Sequence, residues 1–122
     1  MKNVVLVALG GAVGAVLRYG LGLAGLRWAG AGLPWGTWAA NAVGCLLIGV
    51  AIPLVRGDGA RLALVVGVLG AFTTFSTYSA DTVLLWEAGR RGLAVANAAG
   101  SVVVGLACVG LGLAVGRAVS AG

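Results

Sequence analysis

Long apolar segments, separated by short stretches that carry charged residues or glycine, dominate the chain. The first runs from Val4 to Leu26 and contains one charge, at Arg18; three others, 33–55, 62–80 and 92–116, contain none. Each is close to the ~20 residues that a helix needs to cross a bilayer. Because main-chain polar groups in hydrocarbon must be satisfied internally, these spans should be helical. The pattern predicts an all-α integral membrane protein with four transmembrane helices, at about 3–26, 33–55, 61–88 and 91–117.

The amino-acid composition indicates that lipid surrounds most of the chain and that few residues suited to catalysis are present. The chain is 61% hydrophobic and 9% charged, with a mean hydropathy of +1.09, whereas a soluble domain carries roughly 25% charged residues. There is no histidine and there are three acidic residues, which leaves little material for catalysis. Cys45 and Cys108 lie inside predicted spans, where ordinary packing thiols are expected. We therefore predict that the protein is not an enzyme.

Apart from Arg18, the basic residues lie at span ends and form no cluster or stripe, so the net charge of +5 predicts no nucleic-acid partner. With four spans, both ends of the chain and the middle loop share one side, which carries Lys2, Arg56, Arg61 and Arg117. The other side carries Arg27, Arg90 and Arg91. A clear imbalance normally sets orientation. This near-tie fits either insertion in both orientations or a weak bias toward one, and charge alone leaves both open.

The third apolar segment differs from the others because polar side chains lie at its centre. Gly67 and Gly70 precede six hydroxyl side chains in the seven residues 73–79. Glycine is a weak helix former, and serine and threonine offer the main chain competing hydrogen bonds. We therefore expect the third helix to be broken near residues 70–74. Carbonyls ending its first half would suit a small cation, and N–H groups opening its second half would suit an anion, with hydroxyl donors from Ser76 and Thr77.

Two aromatic and two charged residues complete the candidate chemistry. Phe75 and Tyr78 are three apart and project from one face of the second half-helix. The positive edges of their rings could stabilise a dehydrated anion, although spacing alone favours ordinary packing. Arg18 is costly inside a span, so it either draws anions into a vestibule or reaches the interface as an anchor. The partner of Asp81 cannot be identified from the sequence.

Three segments together resemble the CrcB, or Fluc, family of fluoride channels. They are Gly10–Tyr19, Gly36–Thr37 followed by Asn41 and Gly44, and Gly70–Asp81. The resemblance covers all four helices in order, and its most specific part is the Thr-Thr-Phe-Ser-Thr-aromatic-Ser block. It implies one transmembrane channel domain over residues 1–122, multi-pass in the plasma or inner membrane. It also implies passive fluoride export that lowers fluoride toxicity.

The resemblance further implies an assembly and a set of site residues. Family members form antiparallel dual-topology dimers with two fluoride pores, so the expected partner is a second copy in inverted orientation. A structural Na⁺ at the dimer centre would be held by the main-chain carbonyls of Gly70 and Thr73. The residues that it places along the fluoride path are Phe75, Tyr78, Ser76, Thr77, Asn41 and Ser101, with Arg18 near a vestibule.

Two positions depart from the family pattern. The second aromatic is usually Phe, so the Tyr78 hydroxyl either supplies a donor or alters the edgewise contact. Asn97 stands where related chains often carry Tyr, so the outer end of the polar path can differ. Some family members work as pairs of different subunits, and the near-equal charge count favours a single chain forming both halves.

Two other classes remain as alternatives. A small four-helix proton-coupled multidrug exporter needs a membrane-embedded carboxylate, typically in the first helix, which here contains no acid. Asp81 is the one candidate, and it lies beyond the hydroxyl run. A non-transporting assembly subunit would leave that hydroxyl run unexplained.

Overall fold

A computed structural model describes all 122 residues, and the chain is helical throughout, without strands. The first two spans are α1 (Lys2–Ala29) and α2 (Trp35–Leu54). The third comprises a short α3 (Asp58–Ala60), a π-helical segment (Arg61–Leu69), a short α4 (Gly70–Phe72) and α5 (Phe75–Glu87). The fourth is α6 (Arg91–Ala121). Four segments are long and apolar enough to cross a membrane, which confirms the predicted all-helical protein with four spans.

Glycines let the helix backbones approach closely. At the α2–α6 contact, a Cβ added to Gly49 would lie 3.0 Å from the Cα of Gly112, and one added to Gly116 would lie 2.6 Å from the Val50 carbonyl oxygen. On α1, a Cβ on Gly10 would lie 3.1 Å from the Cα of Gly67 in the π-helical segment. Small residues at such contacts are typical of membrane helices, where close backbone approach replaces the hydrophobic effect as the source of packing energy.

The two loops that follow α1 and α5 lie together at one end of the bundle. Each contains a glycine at positive φ, Gly30 at 79° and Gly89 at 74°, a conformation that other residues rarely adopt. The Arg90 guanidinium donates a hydrogen bond to the Gly32 carbonyl and joins the two loops. Because the chain crosses four times, Met1, Gly122 and the loop after α2 lie at the opposite end.

Side-chain burial within the chain is slight. Fourteen of the 122 residues are buried, and much of this set is glycine and alanine. The buried polar side chains are Thr74 and Asn97. Most large apolar side chains point outward, as expected of helices whose solvent is lipid.

Candidate functional site

The main chain leaves helical geometry at Thr73 and Thr74. Their torsions are extended, with φ −81° and ψ 158° at Thr73 and φ −148° and ψ 117° at Thr74. These residues lie at the middle of the 30-residue span Asp58–Glu87. They also fall at the C-terminal end of the interval 70–74, where the glycines and hydroxyls favoured an interruption. Non-helical main chain at this depth has to be buried in protein or line water.

The side chain of Asn41 on α2 forms hydrogen bonds with both main-chain polar groups of Thr74. Its Oδ1 accepts from the Thr74 N–H at 2.8 Å, and its Nδ2 donates to the Thr74 carbonyl at 3.1 Å. An amide carries one acceptor group and one donor group, so it can pair with both main-chain polar groups of a single extended residue. Asn41 thereby supplies Thr74 with the partners that a helix would otherwise provide.

The two extended residues release the main-chain carbonyls of Gly70 and Thr73. In a continuous helix, the Gly70 carbonyl would accept from the Thr74 N–H, which bonds instead to Asn41. The Thr73 carbonyl would accept from the Thr77 N–H, which bonds instead to the Thr74 side chain at 3.1 Å. The family resemblance predicts that these two carbonyl oxygens hold Na⁺. Neither oxygen receives the N–H group that would bond to it in a continuous helix.

Thr74 caps α5 and organises a cluster of hydroxyl groups. Its Oγ1 accepts from the Thr77 N–H, donates to the Thr77 hydroxyl at 3.0 Å, and lies 3.2 Å from the Ser76 hydroxyl. A threonine at the N-cap stabilises the first helical turn by this bond. The N–H groups of Phe75 and Ser76, which open α5, have no helical carbonyl to accept from them. The positive end of the α5 dipole therefore lies at mid-span beside hydroxyl groups.

A cleft of about 350 Å³ between α2, α5 and α6 brings together four of the residues predicted to line an anion path. They are Asn41, Phe75, Tyr78 and Ser101, and Thr73, Thr74 and Cys45 also line this surface, which we call the aromatic cleft. The ring centroids of Phe75 and Tyr78 are 5.4 Å apart with an interplanar angle of 41°. Phe75 is 80% exposed. The two rings thus form one aromatic surface next to the start of α5.

Arg18 and Thr77 line a different cleft, of about 390 Å³, between α1, α2 and α5. Arg18 Nε donates to the Ala71 carbonyl at 3.1 Å, two residues before the extended segment. Its guanidinium therefore lies inside the bundle, where the sequence left a vestibule and an interfacial anchor as alternatives. Thr74 lines this Arg18 cleft as well as the aromatic cleft. Ser76 lines neither of them and remains exposed beside Thr74.

Tyr78 and Asn97, which depart from the family pattern, and Asp81 each form side-chain hydrogen bonds to a neighbouring helix. The Tyr78 hydroxyl donates to the Ala98 carbonyl on α6 at 2.8 Å, so its hydrogen is directed away from the aromatic cleft. Asn97 is 1% exposed and donates to the Thr82 hydroxyl at 2.7 Å. Asp81, whose partner could not be read from the sequence, accepts from the Thr37 hydroxyl at 2.8 Å.

Sequence reasoning missed the central position of Thr74. It lies in the hydroxyl run but was not singled out, because nothing in the sequence distinguishes it from the neighbouring serine and threonine residues. An N-cap is recognisable in sequence only when the helix start is known. The structure contains no group of three or more His, Cys, Asp or Glu residues that could hold a metal ion.

The chain is similar to a known family and to curated proteins over almost its whole length. Residues 5–113 match the family described as CrcB-like protein, Camphor Resistance (CrcB). A protein of Agrobacterium fabrum named "Fluoride-specific ion channel FluC" is 49% identical, over 96% of this chain and 98% of its own length. A protein of the same name from Novosphingobium aromaticivorans is 49% identical, over 98% and 100%. One from Thermus thermophilus is 47% identical, over 97% and 98%.

Proposed function

The chain belongs to the CrcB-like family, and on that premise we propose that it is a fluoride-specific ion channel. It is a multi-pass membrane protein whose role is passive export. Fluoride enters acidified cells as neutral HF and dissociates in the more alkaline cytoplasm. An anion path then lets fluoride leave down its electrochemical gradient and lowers its toxicity. The family comparison does not favour the proton-coupled drug exporter that the sequence left as an alternative.

One observation carries this proposal beyond family membership: a helix begins at mid-span beside aromatic rings and hydroxyl groups. The N–H groups at the start of α5 and the positive end of its dipole favour an anion. Phe75 and Tyr78 supply ring edges, which carry partial positive charge, at the same place. Ser101 lines the aromatic cleft and adds a hydroxyl. Together these groups provide a small dehydrated anion with substitutes for water.

Selectivity follows from what each group can donate at close range. Fluoride is small and binds its hydration shell tightly, so only closely spaced donors can replace that shell. The aromatic cleft presents ring edges and hydroxyl groups, and no charged side chain lines it. Larger halides would gain less from contacts set at this spacing.

We further propose that two copies pair in inverted orientation, with one fluoride path on each side of the contact. Phe75 is 80% exposed, and Ser76 and Gly70 are also exposed, all near the middle of the third span. The Gly70 carbonyl, whose helical donor is diverted, and the Ser76 hydroxyl are polar groups that lipid cannot satisfy, so a partner surface should cover them. The near-tie in basic residues between the two ends favours both orientations. Cross-linking in vesicles tests this pairing, and a strictly monomeric functional protein would exclude it.

We also propose that a structural Na⁺ lies at the centre of that pair. The Gly70 and Thr73 carbonyls, whose helical donors are diverted, are hard oxygen ligands of the type that Na⁺ prefers. Two such oxygens from each copy would converge if the exposed segments face one another. Na⁺ would neutralise the partial negative charge on these carbonyls and hold the two extended segments together. Replacing Na⁺ by N-methylglucamine should reduce fluoride flux; unchanged flux in Na⁺-free vesicles would argue against the ion.

Fluoride efflux from liposomes that contain only this protein tests the channel. Wild-type protein should release fluoride rapidly and chloride far more slowly, and absent or equal flux of both ions would overturn the proposal. Phe75→Ile removes the ring edge and should abolish fluoride flux while the oligomer stays intact. Val83→Ile, on the exposed face of the same helix, is the matched control and should retain flux.

A further inference from the structure

Asn97 is the most deeply buried polar residue of the protomer, and it joins three helices. Its Oδ1 accepts from the indole N–H of Trp38 on α2 at 2.5 Å and from the Ser101 hydroxyl at 3.3 Å. Its Nδ2 donates to the Thr82 hydroxyl at 2.7 Å and to the Tyr78 carbonyl at 3.4 Å. Asn97 is 1% exposed, so water cannot replace any of these partners.

Ser101 lies at a boundary between two clefts. It lines the aromatic cleft with Phe75 and Tyr78, and it also lines a cleft of about 300 Å³ that includes Trp38. In the structure, its hydroxyl hydrogen is directed at Asn97 Oδ1 rather than at either cleft. A serine hydroxyl has one hydrogen, so Ser101 can donate to an anion only after it gives up this bond.

We propose that Trp38 and Asn97 are positioning residues that make the Ser101 hydroxyl available to fluoride; this inference rests on the proposed function. The Asn97 amide oxygen has two acceptor sites, one used by Trp38 and the other by Ser101. When Ser101 turns its hydrogen toward fluoride, the Trp38 N–H still satisfies Oδ1. Without Trp38, release of Ser101 would leave a buried amide oxygen with no partner, which is costly.

The remaining contacts of Asn97 connect the hydrogen bonds among Trp38, Asn97 and Ser101 to the proposed fluoride path. Asn97 and its neighbour Ala98 bind Tyr78 at two points, through the Tyr78 carbonyl and the Tyr78 hydroxyl. The same turn of α6 therefore sets the position of one aromatic ring and of the Ser101 hydroxyl. Trp38 fixes the amide orientation, because its N–H can pair with the amide oxygen but not with the amide nitrogen.

The test is a double-mutant cycle on Trp38 and Ser101. Trp38→Phe keeps an aromatic ring and removes the N–H, and it should raise the half-saturating fluoride concentration about tenfold, with a smaller change in maximal flux. In the Ser101→Ala background, the same substitution should have no further effect on that concentration, because no hydroxyl remains to be released. Trp35→Phe is the matched control: the indole N–H of Trp35, unlike its main-chain N–H, makes no hydrogen bond in the structure. The Trp35 ring contacts the Trp38 ring edgewise, with centroids 5.1 Å apart, and phenylalanine keeps an aromatic ring there, so the half-saturating concentration should equal that of wild type.

The possible outcomes distinguish failure of this inference from failure of the proposed channel function. If wild-type protein conducts fluoride but the effects of Trp38→Phe and Ser101→Ala multiply independently, Trp38 is merely structural and the inference fails. The same holds if Trp38→Phe leaves the half-saturating concentration unchanged. If wild-type protein passes no fluoride, the proposed function itself fails. Oligomeric state is measured for every variant, and Trp38→Leu replaces Trp38→Phe in the cycle should the latter not assemble.

Discussion

Replacing Asn41 with Leu would remove both hydrogen bonds that hold the Thr74 main chain in its extended conformation. Thr74 is 8% exposed, so its N–H and carbonyl would not recover these bonds with water. A stranded buried polar group costs about 1–3 kcal/mol, so two groups disfavour the extended conformation by about 2–6 kcal/mol. The Thr74 N–H could recover one bond by returning to the Gly70 carbonyl. That recovery would continue α4 into α5 and remove the mid-span helix start.

The expected result is a large loss of function with a smaller loss of fold. Even the lower value, about 2 kcal/mol, corresponds to roughly a 30-fold shift in population, so fluoride flux through Asn41→Leu should fall about 30-fold or more. The assay is fluoride efflux from liposomes, together with gel filtration and amide hydrogen exchange at Thr74. Exchange at that amide should quicken if it is stranded and slow if it re-forms a helical bond.

The control for this variant is Val43→Leu, which changes an exposed apolar residue on the same helix and should leave efflux unaltered. The reasoning would be refuted by an Asn41→Leu protein that assembles normally and conducts within about threefold of wild type. In that case, the two hydrogen bonds would not be what maintains the extended segment.

Two further substitutions test packing and the role of the tyrosine. Gly112→Leu should disrupt the α2–α6 contact and cost about 1–3 kcal/mol or more, seen as loss of the assembled species on gel filtration. Gly110→Leu, where an added Cβ meets nothing within 4 Å, should assemble normally, and equal behaviour of the two would contradict the proposed contact. Tyr78→Phe should keep most fluoride flux, because the hydroxyl bonds to Ala98, and should lower the free energy of unfolding by about 0.5–1.5 kcal/mol. Abolished flux would show that the hydroxyl acts on the ion.

The four spans could be predicted because their signal is local. A helix in lipid requires about 20 apolar residues in succession, and loops collect the charges, so both can be read along the chain. The polar centre of the third span is also local, since the hydroxyl run and the glycines before it lie within 13 residues, 67–79. These local features therefore predict an interruption in the segment that contains Thr73 and Thr74.

The contacts that shape this segment could not be predicted in the same way. Asn41 and Thr74 are 33 residues apart, and Trp38 and Asn97 are 59 apart. Such pairs depend on how the helices rotate and pack, which hydrophobic periodicity does not fix when nearly every face is apolar. Asn97 was identified only as a departure from the family pattern, and its spacing gave no sign that it would be buried among three helices.

Arg18 illustrates the same limit for a charged residue. A cation inside an apolar span signals a cavity, a partner or a path to the interface, and spacing cannot choose among them. The structure gives its Nε a main-chain carbonyl, that of Ala71, as partner. This carbonyl is one that the helix no longer uses, because Phe75 begins a new helix. The partner therefore exists only because of the interruption nearby.

The even number of crossings leaves Met1 and Gly122 at the same end of each protomer, away from the loops joined by Arg90 and Gly32. A cleavable tag attached at Gly122 would thus report orientation without disturbing those loops. In sealed vesicles holding inverted pairs, an impermeant protease would trim one tag per pair and spare the other until detergent is added. The two membrane faces of such a pair would expose the same residues, so fluoride crossing in either direction would enter through equivalent openings.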